Sequence, residues 1–175
     1  MNCAELFVES GMTFGPFSEG HCFPVEQSAT YRKIEAGIKI AEFLLLRTPQ
    51  GKPPVIWVVE AKSSSPRPET QPGFDEFIDE IRLKLTNALS LWLAARLGRH
   101  QQAEAELSEP FTQVALDEVD FRLVLVINGH RDAWLPPLNE ALSQALHPVV
   151  KTWALSPTAV TVINDEMARD HGLIQ

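Results

Sequence analysis

Two glutamates and a lysine occupy places where a pair of apolar strands would bring them together. Residues 38–62 read IKIAEFLLLRTPQGKPPVIWVVEAK, two apolar runs around a polar turn. Glu42 lies in the first run and Glu60 in the second, with Lys62 two places further on. Side chains alternate faces along a strand. Ile38, Ile40, Glu42, Leu44 and Leu46 therefore share one face of the first run, and Ile56, Val58, Glu60 and Lys62 one face of the second. A hairpin symmetric about Gly51 sets Leu46 opposite Ile56, Leu44 opposite Val58, Glu42 opposite Glu60, and Ile40 opposite Lys62. Directly opposed like charges destabilise a sheet pair, and carboxylates among apolar side chains lose hydration. A divalent cation relieves both costs, because hard cations take carboxylate oxygens. The chemistry is then a metal site with an ammonium beside it. The alternative pairs Glu60 with Lys62, turns Glu42 to solvent and binds nothing.

Other elements must hold that hairpin. With 175 residues the chain reads as one domain, 1–175, large enough to bury a sizeable core. Residues 1–10 suggest a short helix with Leu6 and Phe7 inward. Two short extended pieces follow, around Met12–Phe17 and Cys22–Glu26, and then a helical turn in 28–36 capped by Ser28 or Thr30. After Lys62, SSSPRPETQPG is a loop by composition. It leads into the longest helical signal, 74–97, in which Phe74, Ile78, Ile81, Leu85, Leu89 and Trp92 recur at helical spacing before Gly98. Residues 99–118 read as a linking loop with a helical piece at 101–107. FRLVLVI at 121–127 suits a strand buried on both faces. A helix at 136–154, a strand at 159–163 and a closing helix capped by Asn164 complete the chain. The 121–163 strand–helix–strand unit should be parallel and right-handed. The fold class is α/β, a mixed sheet with helices on both faces.

Composition narrows the function classes. Hydrophobic content is 45% and charged content 22%, ordinary for a globular protein. No apolar run approaches the ~20 residues that span a bilayer, and the acidic N-terminus lacks the basic start of a secretory signal. The expected location is cytoplasmic, with no membrane partner. Cys3 and Cys22 are too few for a disulfide framework. The net charge of −8 argues against nonspecific nucleic-acid binding by the chain as a whole. Its distribution does not: residues 31–99 hold eleven Lys/Arg against eight Asp/Glu, and the hairpin lies there.

A carboxylate on one strand, Glu-x-Lys at the end of the next, then a helix and another strand is a known pattern. Through Glu42 and the run VVEAK from Val58 to Lys62, the chain resembles the PD-(D/E)xK nuclease superfamily, the restriction-endonuclease-like fold. The resemblance covers roughly 25–127 and implies an αβββαβ core, with 135–175 as a helix–strand–helix extension. Glu42 stands where that family usually carries Asp, and no Pro-Asp pair precedes it. The resemblance implies Mg²⁺-dependent (or Mn²⁺-dependent) phosphodiester hydrolysis in DNA or RNA, of restriction or defence type. Glu42, Glu60 and the backbone carbonyl of Ala61 would hold the metal, which polarises the phosphate and activates water. Lys62 would position that water or stabilise charge on phosphorus. An added acid from the N-terminal part would be Glu26, with Glu35 the other candidate.

Further contacts are read from position. Ser63, Ser64, Ser65 and Arg67 follow the catalytic strand and could touch phosphates, or form a plain loop. Glu76, Glu80, Lys84 and Asn87 lie on the polar side of the long helix, and Lys84 could approach the site. The five histidines show no ligand spacing, and no phosphate-binding glycine motif or nucleophile elbow occurs. Trp57, Trp92, Trp134 and Trp153 sit at apolar spacings and read as core. Two functions follow: a nuclease, or a catalytically inactive binding or assembly subunit of the same fold. The chain is short for a nuclease with its own specificity domain. Targeting would come from a homodimer mate or a partner protein.

Overall fold

The structure is a computed structural model that describes residues 5–100 and 103–175. The chain is mixed α/β, with a five-stranded mixed sheet flanked by helices. A first hairpin pairs β1 (Phe7–Glu9) with β2 (Met12–Phe14). Next come β3 (Cys22–Phe23), a 3-10 turn at Val25–Gln27 and the short helix α1 (Ala29–Ile34), whose Ser28 cap accepts from the Tyr31 amide. The central hairpin is β4 (Phe43–Arg47) and β5 (Val55–Lys62). Helix α2 (Gly73–Arg96), the short α3 (Glu109–Gln113) and β6 (Asp120–Ile127) follow. Helix α4 (Leu135–Thr152), β7 (Val160–Asn164) and α5 (Asp165–Asp170) end the chain.

The sheet order is β3-β4-β5-β6-β7. Pairing is antiparallel up to β5 and parallel from β5 to β7. Only β4 and β5 lie between α1 and α2, because β3 enters the sheet from before α1. The αβββαβ chain order is thus met only in part. Gly51, at φ 71, takes the left-handed position of the turn that Lys52 N closes on the Pro49 carbonyl. The register is the symmetric one, Leu46 against Ile56 and Leu44 against Val58, but β4 begins only at Phe43, so the expected Glu42–Glu60 and Ile40–Lys62 pairs lie outside the ladder.

Two apolar layers sandwich the sheet. Leu44, Leu46, Ile56, Val58, Leu123 and Leu125 face α2 and α4, with Ile81, Leu85 and Trp92 fully buried among them. Phe43, Leu45, Val59, Val124 and Val126 face the β1–β2 hairpin and α5. Two crossovers of one hand stepping the same way across a sheet land on one face. That is where α2 and α4 lie, packed together on the sheet.

Several expectations are corrected. Residues 7–9 form a strand rather than a helix, and Leu6 is exposed. Three-residue strands carry no usable periodicity, and this hairpin is held by a ring cluster of Phe7, Phe14, Phe17 and Phe43. Of the piece expected at 101–107, residues 101 and 102 lie outside the described residues, and Glu104–Glu106 form a 3-10 turn. Trp57 and Trp92 are core, but Trp134 and Trp153 are about half exposed, at 49% and 48%. Cys22 is disulfide-bonded. Cys3 lies outside the described residues. Among the described residues no helix is long and apolar enough to cross a membrane.

Candidate functional site

Glu60 lies on the central strand β5, paired with Leu125 of β6, and its side chain is fully buried. Its alternation partners Ile56 and Val58 point at α2, so Glu60 does too. Phe43 opposite Val59, with Glu42 N donating to the Val59 carbonyl at 3.1 Å, sets Glu42 beside Glu60 just before β4 begins. Helix α2 holds that segment. Ala41 N donates to the Lys84 carbonyl at 3.2 Å, and Asn87 Nδ2 donates to the Lys39 carbonyl at 2.8 Å. The 3-10 turn bearing Glu26 is tied in by Glu26 N donating to the Glu42 carbonyl at 3.5 Å.

The two carboxylates converge on one cation, and that cation is the Lys84 ammonium. Lys84 Nζ stands 2.8 Å from Glu60 Oε1 and 3.8 Å from Glu42 Oε1. Lys62 Nζ stands 3.2 Å from Glu60 Oε1 and 3.2 Å from Glu80 Oε1. Glu80 Oε2 in turn accepts from Lys39 Nζ at 2.8 Å. Both lysines therefore crowd one oxygen of Glu60. The other, Oε2, is buried with no hydrogen-bond partner. Orphaned buried acceptors are rare in folded proteins and mark strain, a catalytic role, or an ordered water or ion.

The electrostatics follow from burial. Burial, then the charge of Glu60, then the hydrogen bond to Glu26 and the charges of Glu26 and Glu9, push the Glu42 carboxyl up to about 9. Glu42 is therefore protonated at neutral pH without a metal. Burial pushes Glu60 up, and Lys84 and Lys62 pull it back by charge and hydrogen bond. Burial disfavours the Lys84 ammonium, but Glu60, with Glu42 and Glu26 behind it, outweighs that and raises Lys84. Lys84 is thus charged at neutral pH. The Lys39 hydrogen bond, against a smaller effect of burial, leaves Glu80 below the usual carboxylate value, with Lys62 adding to it.

A pH prediction follows. The unfolded Glu42 titrates near 4.5 and the folded one near 9. Between those values the folded chain holds a proton that the unfolded chain has lost, so stability contributed by Glu42 falls as pH rises through this window. Urea unfolding of the metal-free protein at several pH values should show that loss in wild type and a flatter profile in Glu42→Gln. Parallel profiles would contradict it.

The structure brings Glu42, Glu60 and Lys62 together through the two lysines, with Glu26 beside Glu42. Ala61 is buried beside them, its carbonyl accepting from Ser10 Oγ at 3.0 Å. Lys84 is not free for a phosphate, being paired to Glu60. Ser63, Ser64 and Arg67 are exposed on the loop after β5, and Ser65 Oγ bonds His130 Nε2 at 2.8 Å. Glu35 and Glu76 are exposed. Sequence reasoning missed Glu80 as the second partner of Lys62, although Glu80 and Lys84 at i,i+4 share a helix face. It also missed the Ser10–Gly11 turn. Gly11, at φ 77, passes so close to Asn128 that a Cβ there would stand 2.9 Å from Asn128 Nδ2.

Among the described residues no group of three or more His, Cys, Asp or Glu side chains is arranged to hold a metal. Mg²⁺ does not require one. It binds through one or two carboxylates, keeps several waters and takes substrate phosphate oxygens. A buried carboxylate with one orphan oxygen, a second carboxyl beside it and a neighbouring carbonyl fit that pattern. Comparison of the chain with family models, curated proteins and solved structures finds no match.

Proposed function

We propose that this chain is a Mg²⁺- or Mn²⁺-dependent nuclease of the PD-(D/E)xK type, with a restriction-endonuclease-like core, hydrolysing phosphodiester bonds in DNA or RNA. The observation that carries this reading is Glu60, a fully buried carboxylate with an unpartnered oxygen. It lies beside a second carboxyl, with Lys62 at the strand end. Glu42, Glu60 and the Ala61 carbonyl would hold a divalent cation, which would supply positive charge beside the scissile phosphate. Lys62, half-buried and anchored by Glu80, orients water or steadies charge on the phosphorus. Glu42, held above its usual value by burial, by Glu60 and by Glu26, would have to lose its proton for a cation to bind there. Ser63, Ser64 and Arg67 line the exposed approach, and targeting comes from a second copy or a partner protein.

Calorimetric titration with Mn²⁺ and Mg²⁺ tests the metal site. Wild type should bind near neutral pH with release of about one proton, and Glu60→Gln should abolish binding. No binding in wild type would remove the basis of the reading.

One observation favours a second reading. The Lys84 ammonium, 2.8 Å from Glu60, already makes the acid pair tolerable in the fold. A chain using Lys84 as a permanent internal cation would be an inactive binding or assembly subunit. It would bind no metal, which the same titration decides.

A further inference from the structure

The acid–lysine site leaves unused a second feature at the same end of the sheet. Beyond the carboxyl ends of the parallel strands β5 and β6 lies a cavity of about 630 Å³. Crevices there are where open α/β sheets bind ligands. Its walls come from the two segments that leave those strands: Ser65 and Arg67 after β5, His130 and Trp134 after β6, with Leu138 of α4 at its base. Ser65 is three residues past Lys62, so it lies at most ~11 Å away along the chain.

The aromatic wall is exposed and yet firmly held. Trp134 keeps 49% of its surface open. Arg131 lies over its ring at 5.3 Å, and His130 meets it edge-to-face at 5.4 Å. The loop that carries all three is pinned at both ends. Asn128 N donates to the Lys62 carbonyl at 2.9 Å, and Gly129 N to Asp165 Oδ1 at 2.9 Å. The buried Asn164 donates to the His130 carbonyl at 2.9 Å and to Asp132 Oδ1 at 2.8 Å. An exposed tryptophan fixed in this way is a preorganised platform. Burial holds the His130 imidazole below its usual value, so at neutral pH it offers one donor and one acceptor. Its bond to Ser65 Oγ makes a polar pair on the cavity wall.

We propose that this cavity is a nucleobase subsite in which Trp134 stacks an unpaired base. Ser65 and His130 contact the base edge, and Arg67 and Arg131 take the flanking phosphates. The substrate class is therefore single-stranded nucleic acid, or a duplex with an unpaired nucleotide near the scissile bond. The placement beside a scissile bond rests on the nuclease reading above; the base binding does not. The aromatic wall would also suit a proline-rich peptide, but Arg67 in the wall and Arg131 over the tryptophan, against the single acid Glu69 there and with Asp132 engaged by Asn164, favour a polyanion.

The test uses the full chain, a short single-stranded DNA and the same DNA with one abasic site, in binding and cleavage assays. Trp134→Ala should weaken binding of the intact strand roughly tenfold and raise KM with kcat little changed, while Trp134→Phe keeps most of the affinity. On the abasic strand the Trp134→Ala effect should vanish. Should Trp134→Ala not fold, wild type must still prefer the intact over the abasic strand by roughly tenfold. Equal binding by wild type and a folded Trp134→Ala overturns the subsite, while cleavage by wild type leaves the nuclease reading standing. Trp134-dependent binding without cleavage in any metal supports the subsite and sinks the nuclease reading. Binding of a proline-rich peptide in place of DNA overturns the subsite in favour of a peptide groove.

Discussion

Replacing Lys84 by methionine should destabilise the metal-free protein by about 3 kcal/mol, the low end for breaking a buried ion pair. The low end applies because Glu60 keeps a second partner, Lys62, at 3.2 Å. Methionine keeps an unbranched apolar stem reaching from α2 toward β5 and removes the charge. The loss should shrink when Glu60→Gln is combined with Lys84→Met, since no buried carboxylate then lacks its ammonium. Divalent cations should restore part of the stability, because a ligand that binds only the folded chain stabilises it. The variant should also bind Mn²⁺ more tightly than wild type, with no ammonium competing for Glu60. Denaturant unfolding with and without metal reads all of this. A Lys84→Met protein as stable as wild type, or one that gains nothing from metal, would show that the ammonium is not the cation holding the acid pair.

Lys62→Ala should lower cleavage by about 10²–10³-fold, the usual cost of removing one group that stabilises charge in the transition state. Its effect on stability should stay below about 1 kcal/mol, because Lys62 is partly exposed and its pairing is screened. Lys62→Arg should not rescue, since a planar guanidinium cannot take the place of a compact ammonium between Glu60 and Glu80. Glu80→Gln should fall between wild type and Lys62→Ala, because it loosens the anchor without removing the lysine. Single-turnover cleavage of a labelled DNA, alongside unfolding of each variant, separates the two effects. Equal cleavage by wild type and Lys62→Ala would remove Lys62 from the reaction.

The core of the site was legible because it follows from local rules. Alternation set the faces of β4 and β5, and a turn centred on Gly51 set their register. Those two facts carry the pairing as far as Phe43 and Val59; Glu42, just before β4, is set beside Glu60 by its amide on the Val59 carbonyl and by the grip of α2 on residues 39–41. The long helix was legible from its apolar stripe and its Gly98 stop at φ 64. What escaped depends on contacts distant in sequence. Whether Lys84 or Lys62 reaches Glu60 first is decided by how α2 lies on the sheet. The Ser10 contact to Ala61 needs a hairpin of three-residue strands, too short to show a period. Trp134 reads as core because it precedes the apolar stripe of α4. In the fold it ends a 3-10 turn, Asp132–Trp134, one residue before that helix and in the wall of a cavity. The disulfide at Cys22 was hidden because two cysteines alone give no pairing signal.

As a nuclease, the Glu42–Glu60–Lys62 cluster would hydrolyse phosphodiester bonds only with a divalent cation on the free oxygen of Glu60. The most direct measurement is cleavage of single-stranded and duplex DNA and of RNA by wild type and Glu60→Ala, with Mg²⁺, with Mn²⁺ and with chelator. Wild type should cleave in metal and not in chelator, and Glu60→Ala should lose activity by about 10³-fold or more. Wild type that leaves every substrate intact in both metals, or Glu60→Ala that cuts as wild type does, would contradict the nuclease reading.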